Sequence, residues 1–161
     1  EDLSAEVRCG LNKKALLVTA IVQDDIHLPQ GRGKLLWQGD SIQLFLELPG
    51  RGTWVAGGSL NESGKAEKWI WNAPKGCSAE DALAAMGFHA ERKDKKTIYH
   101  FQIPRREFQL TESLLNHGFR FNLLVNDADT KRDGREGWIR IAPGAGDEVA
   151  PIHYPIVFFS R

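Results

Sequence analysis

Trp69 and Trp71 stand one residue apart in the run Lys68-Trp-Ile-Trp-Asn72. In an extended chain both project from one side and Ile70 from the other. With Ile70 inward, two indoles line an outer face, which suits a binding platform. The competing reading packs them beneath the following loop, Ala73 to Ser78. Asp127-x-Asp129-x-x-x-Asp133-Gly134 supplies hard oxygen donors of the kind calcium takes, although Lys131 stands where an EF-hand-like loop wants another oxygen. Asp40 and Asp127 also suit turn capping and loop bracing, because a short carboxylate readily accepts nearby backbone N–H groups. Glu47, Glu62 and the aspartates could supply the two carboxylates of a glycosidase, but no spacing sets a pair opposite one another. The histidines, His27, His89, His100, His117 and His153, show no metal-ligand spacing. No C-x-x-C pair exists; Cys9 and Cys77 are either one disulfide or two separate thiols.

A chain of 161 residues, 42% hydrophobic and 26% charged, is expected to form one globular domain with enough apolar side chain for a core. Lys plus Arg and Asp plus Glu are each 21, so the net charge is zero. That balance argues against nucleic acid as a partner, since a basic footprint is needed to displace counterions. No apolar run approaches the ~20 residues that span a bilayer, so no membrane crossing is expected. The chain opens on Glu1 and its sole methionine is Met86, which suggests a single domain, 1–161, processed or excised from a larger protein.

The elements that must position these residues are short strands separated by Gly, Asn, Asp and Pro. Ala15 to Val22 reads as a buried strand. Ser41 to Leu48 alternates: Ile42, Leu44, Leu46 and Leu48 lie on a core face, with Gln43, Phe45 and Glu47 on an outer one. Further strands are expected at Thr53 to Ser59, Lys68 to Asn72, Thr97 to Ile103, Phe119 to Val125, Trp138 to Ile141 and Ile156 to Phe159. Ser78 is placed to cap a helix over Ala82 to Met86, and Thr111 to Leu115 suits another helical turn. The fold class is therefore all-β: an antiparallel β-sandwich with one or two short helices.

Two stretches are more specific. Trp37-Gln-Gly-Asp40-Ser-Ile-Gln43 opens one strand, and Val125-Asn126-Asp127-Ala-Asp129 closes another. Together, at this separation, they resemble the family 9 carbohydrate-binding modules, with their W-x-x-D-S-[VI]-[EQ] strand start and later V-N-D-A-D. Ala5-Glu-Val-Arg8, the Leu16 to Val22 strand ending near Asp24-Asp25, and Ile103-Pro104 agree in order. The resemblance implies a β-sandwich that binds oligo- or polysaccharide, such as xylan or cellulose. It also implies a covalently linked catalytic domain, an extracellular or periplasmic location and structural calcium, the alternative to Asp127–Asp133 being a site elsewhere that involves Asp24 or Asp25. No organic cofactor is implied. The physics is that of a pyranose: its apolar C–H face packs on an indole, and amides, carboxylates or Arg satisfy its hydroxyls.

Carried over by position, Trp37 matches the first ring-stacking tryptophan, and Gln43 matches a hydroxyl-binding glutamate. The second stacking tryptophan of the family falls in a G-x-[IV]-x-W strand. Gly137-Trp-Ile-Arg-Ile141 puts Ile141 at that place, with Trp138 on the opposite strand face. The second ring is then expected from Trp138 through a bulge, or from Trp54, Trp69 or Trp71. The family's N-terminal strand is expected to be missing before Leu3. The candidate ligand set is Trp37, Gln43, Trp69, Trp71, Asn126 and Trp138; the candidate metal set is Asp127, Asp129 and Asp133. Competing readings are an interaction or structural sandwich with a decayed sugar site and, since related sandwiches carry b-type haem, a haem domain using Met86 and a histidine.

Overall fold

The computed structural model describes residues 3–130, 134–146 and 148–159. The strands are β1 (Ser4–Leu11), β2 (Ala15–Gln23), β3 (Ser41–Leu48), β4 (Gly52–Leu60), β5 (Ala66–Asn72), β6 (Gly87–Lys93), β7 (Lys96–Pro104), β8 (Phe119–Asp127), β9 (Gly137–Arg140) and β10 (Ile156–Val157). Two short helices, α1 (Ala79–Ala85) and α2 (Glu112–His117), and 3-10 turns at Gly33–Gln38 and Pro151–His153 join them. One sheet has the order β1-β2-β7-β6; the other runs β10-β8-β3-β4-β5, with β9 on β8. Neighbouring strands are antiparallel. The all-β sandwich with short helices is thus what the chain forms.

Period-two alternation builds the core between the sheets. Leu16, Val18, Ala20 and Val22 of β2, with Tyr99, Phe101 and Ile103 of β7, meet Ile42, Leu44, Leu46 and Leu48 of β3 and Phe121, Leu123 and Val125 of β8. Trp54 is 1% exposed in this core, and its Nε1 donates to the Phe108 carbonyl at 3.1 Å. Ser78 and Thr111 cap the helices, accepting from Asp81 N at 3.1 Å and Leu114 N at 3.2 Å. Among the described residues no helix is long and apolar enough to cross a membrane.

Two strands depart from expectation. β1, paired from Ser4 to Leu11 along β2, was not among the predicted strands. β6, Gly-Phe-His-Ala-Glu-Arg-Lys, was not predicted either. Both are the edges of their sheet, where charged residues discourage further pairing and blur the alternation. Phe45 lies on the outer face as expected, yet it is buried. A second small cluster of Phe45, Val55, Leu124, Ala145 and Tyr154 covers it. Tyr154 meets Phe45 edge-on at 6.0 Å and donates its hydroxyl to the Gly144 carbonyl at 2.8 Å. The segment before β10 therefore covers the Phe45 end of this outer face and leaves its other end to Gln43, Asn126 and Trp138.

Candidate binding site

Trp37 sits on the 3-10 turn Gly33–Gln38, immediately before β3. Three contacts from β5 hold that turn. Glu67 Oε1 accepts from Gly33 N at 2.9 Å, and Trp71 Nε1 donates to the Lys34 carbonyl at 2.8 Å. The Trp69 ring lies so close to Gly33 that a Cβ there would stand 3.4 Å from it. Gly33 has φ +56°, the left-handed region where glycine is favoured. Trp69 and Trp71 thus share the outer face, opposite the inward Ile70, and brace the turn that carries Trp37.

Asp40 fixes the same turn from its other end. Its carboxylate accepts from Leu28 N at 2.6 Å and Ala128 N at 2.8 Å, with His27 Nδ1 at 3.4 Å. This ties the loop before Trp37 to the end of β8.

Trp138 reaches the site without a bulge. On β9 it pairs with Asn126, while Ile139 pairs with Val125. Val125 and Ile139 face the core, so regular alternation turns Trp138 outward beside Asn126. Ile141 shares the Ile139 side and lines a small cleft with Ala5, Val7, Leu123 and Val125. The expected bulge is therefore unnecessary, and Trp54, being core, cannot substitute for a site ring.

Trp37 and Trp138 face a common centre occupied by a side chain that the sequence did not single out. The Arg135 guanidinium carbon lies 4.3 Å from the Trp138 ring centre and 5.7 Å from that of Trp37. Such stacking on an indole is a cation–π contact. Arg135 Nη1 donates to Asn126 Oδ1 at 2.6 Å. Asn126 Nδ2 donates onward to Ser41 Oγ at 3.0 Å and Gln43 Oε1 at 3.3 Å. Asn126 and Gln43 are 1% and 8% exposed, so the polar floor is ordered by its own bonds. Beyond Gln43 the next residue across the sheet is Gly57, and then Trp69. The floor between Gln43 and Trp69 carries no side chain.

The carboxylates assemble beside this site rather than in it. Ligand atoms of Asp24, Asp127 and Asp129 lie within 4.8 Å of one another, as do those of Asp24, His27 and Asp40. Asp133 lies outside the described residues. The set therefore brings in Asp24, already named beside Asp25, and His27, which the sequence did not single out as a ligand. Burial first, then the Asp40 and Asp129 charges, push the Asp24 carboxyl up to about 6, against a backbone bond from Ile26 and the Arg92 charge. Three carboxylates with oxygens this close together are a donor set that fits calcium.

Other candidates do not converge. Met86 is 1% exposed within the core. Glu47 pairs with Arg120 at 3.4 Å. It adjoins Thr53 near the start of β4, whereas Glu62 follows that strand's end, so the two cannot flank one glycosidic bond. The cysteines are separate free thiols.

No protein-family model matches the chain, and no curated protein matches it in sequence. Solved structures do match in fold. A carbohydrate-binding module of family 9 from Caldicellulosiruptor kristjanssonii, in complex with glucose, aligns with TM-score 0.64 and 16% identity over 91% of this chain and 70% of that one. The same organism's family 9 module in complex with cellotriose gives 0.63 and 16%, over 91% and 69%. A Bacteroides uniformis protein proposed to bind carbohydrate gives 0.63 and 10%, over 96% and 77%. The chain resembles the family 9 carbohydrate-binding modules and has their fold.

Proposed function

We propose that this protein is a saccharide-binding module rather than an enzyme. A pyranose lies against the indoles of Trp37 and Trp138, and Gln43 and Asn126 bond its hydroxyls. The observation that carries this reading is the placement of Trp138 beside Asn126, facing the same centre as Trp37. The likeness to modules solved with glucose and cellotriose supports it. Indole stacking supplies apolar contact, and buried amides lose water only where a hydroxyl replaces it. Few atoms are desolvated, so the expected affinity is micromolar to millimolar, about −8 to −4 kcal/mol. The module then serves to hold a linked catalytic domain on polysaccharide outside the cytoplasm. Calcium at Asp24, Asp127 and Asp129 braces the loops behind the site, where Asp40 already ties Leu28 to Ala128.

Tryptophan fluorescence titrated with gluco-, xylo- and cello-oligosaccharides tests the proposal. A saturable change, abolished in Trp37→Ala, is expected. A flat response across a broad glycan panel overturns it in favour of an interaction sandwich with a decayed sugar site.

A further inference from the structure

The candidate saccharide site belongs to the sheet that contains β3 and β8; the outer face of the other sheet, β1-β2-β7-β6, carries chemistry of its own. β6 and β7 form a hairpin closed by Asp94 and Lys95, and so short a turn fixes their register. His89 stands directly opposite His100. Ala90, Tyr99 and Phe101 are buried, so alternation turns both histidines outward, where they are exposed. Their rings lie nearly parallel, with 13° between planes and 6.2 Å between centres. Spacing along the chain gave no metal-ligand pattern for the histidines; the hairpin register supplies a pair.

With metal–nitrogen bonds of about 2.0–2.1 Å, two imidazoles on one ion have ring centres as much as about 6.4 Å apart. The observed separation lies within that reach, and exposed rings can turn to converge their nitrogens without backbone movement. A neighbouring strand orients one ring already. Thr19 of β2 pairs with His100, and its Oγ1 lies 3.0 Å from His100 Nδ1. When Nδ1–H donates to that hydroxyl, the lone pair is on Nε2, which is how an outer partner prepares a ligating histidine. Arg8, next along the same row, has its guanidinium held by Glu6 at 2.7 Å. Without an ion, the pair becomes a like-charged couple whenever both rings are protonated, which destabilises the ladder. A shared cation gives the two rings a common partner.

We propose that His89 and His100 form a two-histidine site for a divalent transition-metal ion of the kind that prefers imidazole, copper(II) binding most tightly, with Thr19 as the positioning residue. Water completes the coordination on this open face. The site is separate from the aspartate cluster, whose oxygen-rich donors suit calcium, and it does not depend on saccharide binding.

Isothermal titration with copper(II), followed by electron paramagnetic resonance of the loaded protein, tests this. Relative to a variant lacking both histidines, the wild type is expected to take up one further ion, with a spectrum showing coupling to two imidazole nitrogens. His89→Ala and His100→Ala are each expected to weaken that ion about a hundredfold, since a second ligand held in place acts at high effective concentration. Both side chains are exposed, so the metal-free Tm should not move. Thr19→Val is expected to weaken binding about tenfold, the low end for an orienting partner, and Thr19→Ser to restore it. His117→Ala, an exposed histidine on α2, should change nothing. Equal copper uptake by the wild type and the double variant overturns the proposal. So does full affinity in either single variant, because one imidazole would then suffice.

Discussion

The Asp40 carboxylate accepts the backbone N–H of Ala128 at 2.8 Å, joining the entry of β3 to the exit of β8. The same carboxylate holds Leu28 N at 2.6 Å. Both donors lose their partner in Asp40→Ala. Two buried donors left unpaired cost about 3 kcal/mol. For a domain of this size that is a fall in Tm of roughly 6–12 °C. Calorimetry checks it. Asp40→Asn, which keeps one acceptor oxygen, is expected to lose about half as much.

Trp71 acts on the site through the turn it supports. Trp71→Phe keeps a ring on the outer face but removes the donor to the Lys34 carbonyl. A loss of about 1 kcal/mol in stability is expected. Saccharide affinity should fall about threefold through a looser Trp37, an order of magnitude for partial loss of pre-organisation. Denaturant melts and titration of the same sample separate the two effects.

Ile141 provides the matched control for Trp138. It lies on the opposite strand face, against Ala5 and Val7. Ile141→Ala is expected to leave saccharide affinity unchanged within twofold, a difference of about 0.4 kcal/mol. A larger loss, measured by titration, would mean that β9 presents its other face.

Asp24 makes stability pH-dependent in calcium-free buffer. Its folded carboxyl is raised to about 6 from 3.8. Its contribution is therefore fully present below about pH 4 and is lost as pH rises through 6, since the folded state holds the proton longer. Asp24→Asn flattens this part of the Tm–pH curve. Calcium, which needs the ionised carboxylate, is expected to raise Tm above pH 6 and to do so less at pH 5. Asp129→Asn should remove the calcium-dependent rise. Thermal melts with calcium or a chelator provide the check.

The strands that fill the core were legible because both their faces obey one period. β3 is the clearest case, with Ile42, Leu44, Leu46 and Leu48 on one side. The edges β1 and β6 were not, because half-paired strands need no alternation. In the site, Trp37, Gln43 and Asn126 could be named from two local motifs. The face of Trp138 depended on its register against Asn126, which no local pattern encodes. Arg135 gave no signal at all. An arginine among loop residues reads as solvated until the fold lays it on two indoles. Asp24 and His27 met Asp40 and the β8 carboxylates only through loop closure over distant positions.

Titration of one glycan panel against the wild type and Trp138→Ala bears most directly on the two-indole site. The two-indole site predicts saturable binding by the wild type and at least a tenfold loss in Trp138→Ala, with far-ultraviolet circular dichroism unchanged and a Tm lowered by the lost packing against the Phe45 cluster. Undiminished affinity in Trp138→Ala would contradict it.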